Sequence, residues 1–239
     1  MLFLRSLLFY LGMWLVTIPA MLAPLLYPLP PLRRYAVLSL WSKAVLWWLR
    51  VTCNVRFEVE GREHLPARPA VVLAKHQSTW ETLAFQSIFP AQTWVLKREL
   101  LHIPLFGWGL AMCSPVAIDR AAGREALRQV IDQGKERLAQ GFWLIIFPEG
   151  TRVAPGTKGR YAVGGAMLAE KAGAPVVPVA HNGGEHWPKG RFLKLPGTIR
   201  VVIGPVIEPA GRSAGEINAQ AENWIEAQMA RITTPTPSG

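Results

Sequence analysis

Apolar positions along this chain follow two regimes that meet near residue 50. Before it they run almost unbroken. No charge falls between Ser6 and Pro31, and "LLFYLGMWLVTIPAMLAPLLY" is apolar over 21 residues, a length that can span a bilayer. Pro19, Pro24, Pro28, Pro30 and Pro31 interrupt the run. A helix from Leu7 to Ile18 measures about 18 Å at 1.5 Å per residue, short of the ~30 Å hydrocarbon core. A second apolar stretch follows, "YAVLSLWSKAVLWWLR" (Tyr35 to Arg50), rich in Trp and with Lys43 as its only internal charge. The pattern predicts a re-entrant or interfacial helical pair, in competition with one tilted span. Arg5 ahead of the apolar run and "IPA" within it also fit a cleaved signal peptide, and hence a secreted hydrolase, but the second apolar segment argues against cleavage.

From residue 51 the apolar runs shorten and alternate in period. Strand-like runs "FEVEG", "AVVLA", "TWVL", "PVAI", "FWLIIF", "PVVPVA" and "TIRVVIG" are separated by helical patterns, the clearest being "GREALRQVIDQGKERLAQG", "GGAMLAEKAG" and the closing "AGEINAQAENWIEAQMARI". Such alternation predicts an α/β fold with a central, largely parallel sheet flanked by helices. The expected organisation is a membrane-associated helical segment over 1–50, an α/β domain over 51–232 and a disordered tail, "TTPTPSG", over 233–239.

Charge sharpens the first segment. The 239 residues carry 26 basic and 16 acidic side chains, a net charge of +10. Residues 1–50 hold Arg5, Arg33, Arg34, Lys43 and Arg50 without a single acid. A basic, apolar N-terminus fits an anionic membrane surface, with the remainder of the chain on the cytoplasmic side of the inner membrane. No basic helix or RNA-binding aromatic motif points to nucleic acid. Cys53 and Cys113 form neither a disulfide framework nor a metal pattern. Trp14, Trp41, Trp47 and Trp48 have the setting of interfacial anchors.

Polar side chains collect at the carboxyl ends of the predicted strands, the edge at which open α/β sheets bind ligands. "KHQSTWE" (Lys75 to Glu81) follows "AVVLA" and precedes the helical "WETLAFQSIF". A five-residue step turns roughly 140° on a helix, so His76 and Glu81 can meet only across the strand–helix turn. Two readings are open there: a general base with its orienting carboxylate, or a capping box in which Ser78 caps the helix and Glu81 returns to the Ser78 N–H. "FPEGTR" (Phe147 to Arg152) leaves another strand through a turn at Gly150. Arg152, with Arg120 or Lys97–Arg98, can clamp a phosphate through the guanidinium fork. The plainer reading pairs Glu149 with Arg152 at a solvated loop.

"HQSTWE", "AIDR", "FPEGTR" and "VVPVA", in that order, resemble the motifs of the glycerolipid acyltransferase family, which includes 1-acylglycerol-3-phosphate acyltransferases. The resemblance covers roughly Val55 to Pro209. It implies that His76 is the base and Glu81, where the family usually has Asp, its orienting carboxylate. It implies acceptor-binding roles for Arg120 and for Glu149, Gly150, Thr151 and Arg152, with Lys97 and Arg98 at the same edge. Val177, Pro178 and Val179 match a strand linked to acyl-chain or structural roles. The implied reaction moves a fatty acyl group from acyl-CoA or acyl-carrier protein to a lysophospholipid hydroxyl, with 1-acylglycerol-3-phosphate as first choice and glycerol-3-phosphate or another lysolipid as alternative. No cofactor or metal is expected.

That chemistry is self-consistent. A thioester is already activated, so transfer needs a hydroxyl deprotonated as it attacks and donors for the developing oxyanion. An imidazole, whose unperturbed pKa of ~6.5 lies near operating pH, suits the first task. No G-x-S-x-G elbow is present, which leaves a covalent acyl-enzyme as the lesser hypothesis. A non-catalytic lipid-phosphate-binding protein would need the arginines alone. His181 and His186 in "HNGGEH" read as a polar loop, and His64 and His102 as structural or solvated.

Overall fold

Short β-branched runs become the strands β1 (Val55–Glu60), β2 (Val71–Ala74), β3 (Gln92–Lys97), β4 (Val116–Ile118), β5 (Trp143–Ile146), β6 (Val176–His181) and β7 (Gly197–Ile203). The computed structural model describes residues 1–104 and 106–233, without the side chains of Phe106 and Arg120, so the predicted tail lies outside the described residues apart from Thr233. Among them the strands make one sheet in the order β1-β7-β6-β2-β5-β3-β4. Every neighbouring pair is parallel except β6 and β7, which run antiparallel. The helices are α1 (Leu2–Ala20), α2 (Pro31–Cys53), α3 (Trp80–Ile88), α4 (Phe106–Met112), α5 (Arg124–Ala139), α6 (Gly164–Ala172), α7 (Gly183–His186) and α8 (Ala214–Ile232).

β2, β5 and β6 are buried along their whole length, which explains their unbroken apolarity: a central parallel strand is covered on both faces. The pleat then sorts side chains by parity. Val72, Ala74, Ile145, Val177 and Val179 join Phe9, Leu49, Trp80 and Phe85 on one face. Val71, Leu73, Leu144, Ile146 and Val176 join Val130, Leu168, Ile217 and Ile225 on the other. Helices α1 to α3 therefore cover one face and α5, α6 and α8 the second.

The N-terminal segment departs from expectation. α1 is one helix of 19 residues, about 28 Å at 1.5 Å per residue, rather than the short Leu7–Ile18 piece. Pro19 withholds an N–H from the Leu15 carbonyl, and the helix ends one residue after it. α2 runs to Cys53 and ends at Asn54 in the left-handed region, φ 53°. The two helices pack antiparallel: the Trp48 indole N–H donates to the Leu8 carbonyl at 3.0 Å and the Trp41 indole to Thr17 Oγ1 at 3.1 Å. Gly12 permits that approach, since a Cβ there would meet the Trp48 ring at 2.0 Å. Trp41 and Trp48 are thus inter-helix contacts; Trp14 and Trp47 alone of the four stay largely exposed.

Nor is the pair an appendage. Phe9 is fully buried and sits edge-on to Trp187 at 5.2 Å, and Ser6 Oγ accepts the Lys194 N–H at 2.9 Å. Its outer face is apolar all the same, with Leu4, Leu11, Trp14, Leu15 and Ile18 more than half exposed.

Candidate active site

Strand β2 lies between β6 and β5, so the turns leaving these three strands converge at one place on the sheet edge. Out of β2 come Lys75 and His76, out of β5 comes Phe147–Arg152, and β6 ends on His181. The His76 Nδ1–H donates to Glu81 Oε1 at 2.9 Å. The same oxygen accepts the backbone N–H groups of Gln77 at 2.9 Å and Ser78 at 2.8 Å. The two readings of this motif therefore coexist in one carboxylate. Only half of the capping box forms: Ser78 Oγ accepts from the Trp80 N–H at 3.0 Å and donates to the Trp187 carbonyl at 2.6 Å. The complete box occurs instead at the head of α8, between Ser213 and Glu216.

Glu81 is fully buried, and its second oxygen has no hydrogen-bond partner among the described residues. Burial pushes its carboxyl up, but His181, the hydrogen bond and charge of His76 and the Ser78 N–H together outweigh it and hold it below its ordinary value. His181 stands 3.9 Å from the same oxygen. Burial presses its imidazole down; Nε2–H donates to the Lys75 carbonyl at 2.8 Å, and Nδ1 accepts the Gly183 N–H at 3.1 Å. His181 is therefore a buried strand residue rather than part of a polar loop. His76 stacks on Phe147 with centroids 4.0 Å apart. Its Nδ1 is committed to Glu81, and Nε2 makes no hydrogen bond among the described residues, at a side chain 16% exposed. An imidazole held this way is poised to accept a proton at Nε2 while the carboxylate stabilises the charge that results.

The "EGTR" residues divide. Glu149, expected at the acceptor, turns its side chain inward, where it is fully buried: Oε1 accepts from Lys75 Nζ at 2.8 Å and Oε2 from the His76 backbone N–H at 3.1 Å. Its partner is Lys75, not Arg152, because a carboxylate in the interior needs a cation that is buried with it. Gly150 takes φ +67° in an exposed turn that also exposes Thr151. Arg152 turns back toward the histidine motif, donating to Thr79 Oγ1 at 2.8 Å.

Lys97 and Arg98 are exposed at the end of β3, one strand beyond β5. Arg98 donates to Gln129 at 3.3 Å, and no hydrogen bond or ion pair among the described residues joins the pair to His76 or Arg152. Arg120 follows β4 at the sheet margin, and its side chain lies outside those described. His64 Nδ1 faces the Ile203 carbonyl at 2.8 Å, and His186 Nδ1 the Leu195 carbonyl at 3.1 Å. Cys53 and Cys113 are free thiols. No cluster of three or more His, Cys, Asp or Glu placed to hold a metal occurs among the described residues.

The groove beside this site is not legible in the sequence. A cavity of about 500 Å³ opens between α1, α2, α3 and the segment after α7. Its walls include Tyr10, Met13, Trp41, Leu83, Trp187 and Phe192, and Thr79, Arg152 and Arg191 line it too. The aromatic residues of α1 and α2 were visible as a pattern, but nothing in that pattern said that they fold back over the histidine motif.

Residues 56–182 match the family model described as Acyltransferase. A 1-acyl-sn-glycerol-3-phosphate acyltransferase of Pseudomonas aeruginosa is 44% identical, over 98% of this chain and 96% of its own length. One from Chlamydomonas reinhardtii is 29% identical over 98% of this chain and 70% of its own length. The crystal structure of the 1-acyl-sn-glycerophosphate (LPA) acyltransferase of Thermotoga maritima superposes with a TM-score of 0.76 at 26% identity, covering 97% of both chains.

Proposed function

We propose that this chain, which belongs to the acyltransferase family, transfers a fatty acyl group from the thioester of acyl-CoA or acyl-carrier protein to the free hydroxyl of 1-acylglycerol-3-phosphate, giving phosphatidate. The observation that carries this reading is the 2.9 Å His76–Glu81 hydrogen bond, which leaves Nε2 unbonded in a motif whose Thr79 lines an apolar groove together with Arg152 and Arg191. The relatives named above supply the acceptor. His76 Nε2 takes the hydroxyl proton as the oxygen attacks the thioester carbon, and Glu81 holds the tautomer and stabilises the imidazolium. The tetrahedral intermediate collapses, the C–S bond breaks, and the thiol leaves with the proton. The groove takes the acceptor's apolar chain and Arg152 its phosphate. Thiol release from acyl-CoA, followed against a panel of acceptors, tests the reading: 1-acylglycerol-3-phosphate should outrun glycerol-3-phosphate, which has no chain for the groove, and the reverse order would overturn the assignment.

Arg152→Ala should raise KM for the phosphorylated acceptor by roughly 10- to 100-fold, the scale of a lost charged hydrogen bond. KM for the thioester should change little; equal increases for both substrates would remove Arg152 from the phosphate.

α1 is long and apolar enough to cross a membrane by length and composition, and only 11% of that stretch is buried. In our reading it lies in the membrane surface, its inner side packed on the domain and its outer side in lipid. Deleting residues 1–31 would also remove Phe9 from the core, so the cleaner variant is Leu11→Ser, Trp14→Ser and Leu15→Ser together. Partition onto anionic vesicles should fall by more than tenfold, since each buried apolar side chain is worth about 1.5–3 kcal/mol, with the melting temperature little changed. Undiminished vesicle binding would show that another surface anchors the protein.

A further inference from the structure

Lys75 is the most deeply buried lysine near the site and lies immediately before His76. Its side chain is 1% exposed, and Nζ spends its three donors on Glu149 Oε1 at 2.8 Å, Glu226 Oε1 at 2.9 Å and the Thr157 carbonyl at 3.0 Å. Glu226 belongs to α8, 151 residues away along the chain. It also accepts the Tyr161 hydroxyl at 2.8 Å. Glu149, on the other side of the lysine, accepts the His76 and Gly159 backbone N–H groups at 3.1 and 2.9 Å. One turn earlier on α8, Glu222 pairs with Lys158 at 2.6 Å.

Burying an ammonium and a carboxylate in contact, with a second, part-exposed carboxylate against them, demands good geometry and complete hydrogen bonding to be tolerated at all. The hydrogen bonds here run in one continuous line from α8 through Lys75 and Glu149 to the backbone of His76. The opposite side of that backbone is held as well, because the His76 carbonyl accepts the Val153 N–H at 2.9 Å.

We infer that Lys75 and Glu226 are positioning residues for the reaction: through Glu149 they fix the main chain of His76, which makes α8 part of the catalytic apparatus although none of its side chains lines the groove. This rests on the reading of His76 as the base. Lys75 bonds Glu149, and Glu149 bonds the His76 N–H, so losing the ammonium releases the anchor of the base rather than any contact to substrate. Glu226 acts one step further out and should matter less.

The test is kcat and KM for Lys75→Met and Glu226→Gln, each in the parent and in the His76→Ala background, with the folded fraction measured by circular dichroism well below the melting temperature. Lys75→Met should lower kcat per folded enzyme by roughly 10- to 100-fold, the scale of a misplaced catalytic group, and leave both KM values within about twofold. Glu226→Gln, isosteric and at a side chain 23% exposed, should fold even where Lys75→Met does not and should give a smaller loss of the same kind. Neither should lower the residual rate of His76→Ala, because effects routed through one residue do not add. Full kcat in Glu226→Gln, an equal loss in the His76→Ala background, or a change confined to KM would overturn the inference. A His76→Ala enzyme of near-parent rate would overturn the base assignment itself, an outcome distinct from the other three.

Discussion

His76→Ala is expected to lose acyl transfer by roughly 10²- to 10⁴-fold, the usual contribution of a positioned proton acceptor. The effect should fall on kcat. The groove walls and Arg152 are untouched by the truncation, so lysolipid should bind the variant with near-parent affinity in an equilibrium measurement. Melting temperature should fall only modestly: Glu81 loses one of its three donors, but the motif's main chain keeps its bonds to Glu149 and Val153. A variant with near-parent kcat would show that the attacking hydroxyl gives its proton to another group.

Glu81→Gln is the second large effect, and it separates what a cap does from what a charge does. Gln retains an acceptor oxygen for the Gln77 and Ser78 N–H groups, but it can also donate to the ring and stabilise the wrong tautomer, and it offers no charge to the imidazolium. A kcat loss of roughly 10²- to 10⁴-fold is expected. Stability should fall by about 1.5–3 kcal/mol, more than the ~1 kcal/mol of an ordinary cap, because three donors share one buried, ionised oxygen. Glu81→Asp, which keeps the charge one methylene short, should be milder in both respects. The sign of the pH dependence follows from the depressed carboxyl. Its contribution to stability is complete above the unfolded carboxyl's pKa of ~4.3 and disappears as pH falls through the lower folded value. The parent's stability advantage over Glu81→Gln should therefore shrink in acid. An advantage that persists unchanged there, or a Gln variant of nearly full activity, would make Glu81 a cap and nothing more.

Local pattern revealed the elements and left their neighbours hidden. All seven apolar runs are strands, and the closing helix spans Ala214–Ile232, the same residues that its periodicity marks. The motif residues His76 and Arg152 were legible because each is a polar group at the end of an apolar run. Three things were not. The placement of β7, parallel to β1 and antiparallel to β6, depends on pairing, which composition does not encode. The inward turn of Glu149 depends on Lys75, whose partner Glu226 is far off on another element. The length of α1 exceeds the Leu7–Ile18 stretch chiefly at its start, where Leu2 to Ser6 extend the helix through the charge of Arg5; only Pro19 and Ala20 are added at its end.

The position of β7 also sets an order on folding. Among the described residues β1 pairs only with β7, in register from Val55 opposite Gly197 to Glu60 opposite Val202. Phe9 and Ser6 likewise find Trp187 and Lys194 at the far end of the chain. During synthesis the first fifty residues emerge long before any of these partners exist, and contacts so distant in sequence close slowly. Until then α1 exposes on all sides the apolar surface that the finished protein half covers. A lipid surface present from the start would shield that nascent helix from aggregation, so refolding of the full-length chain from denaturant should recover more enzyme with vesicles than without them.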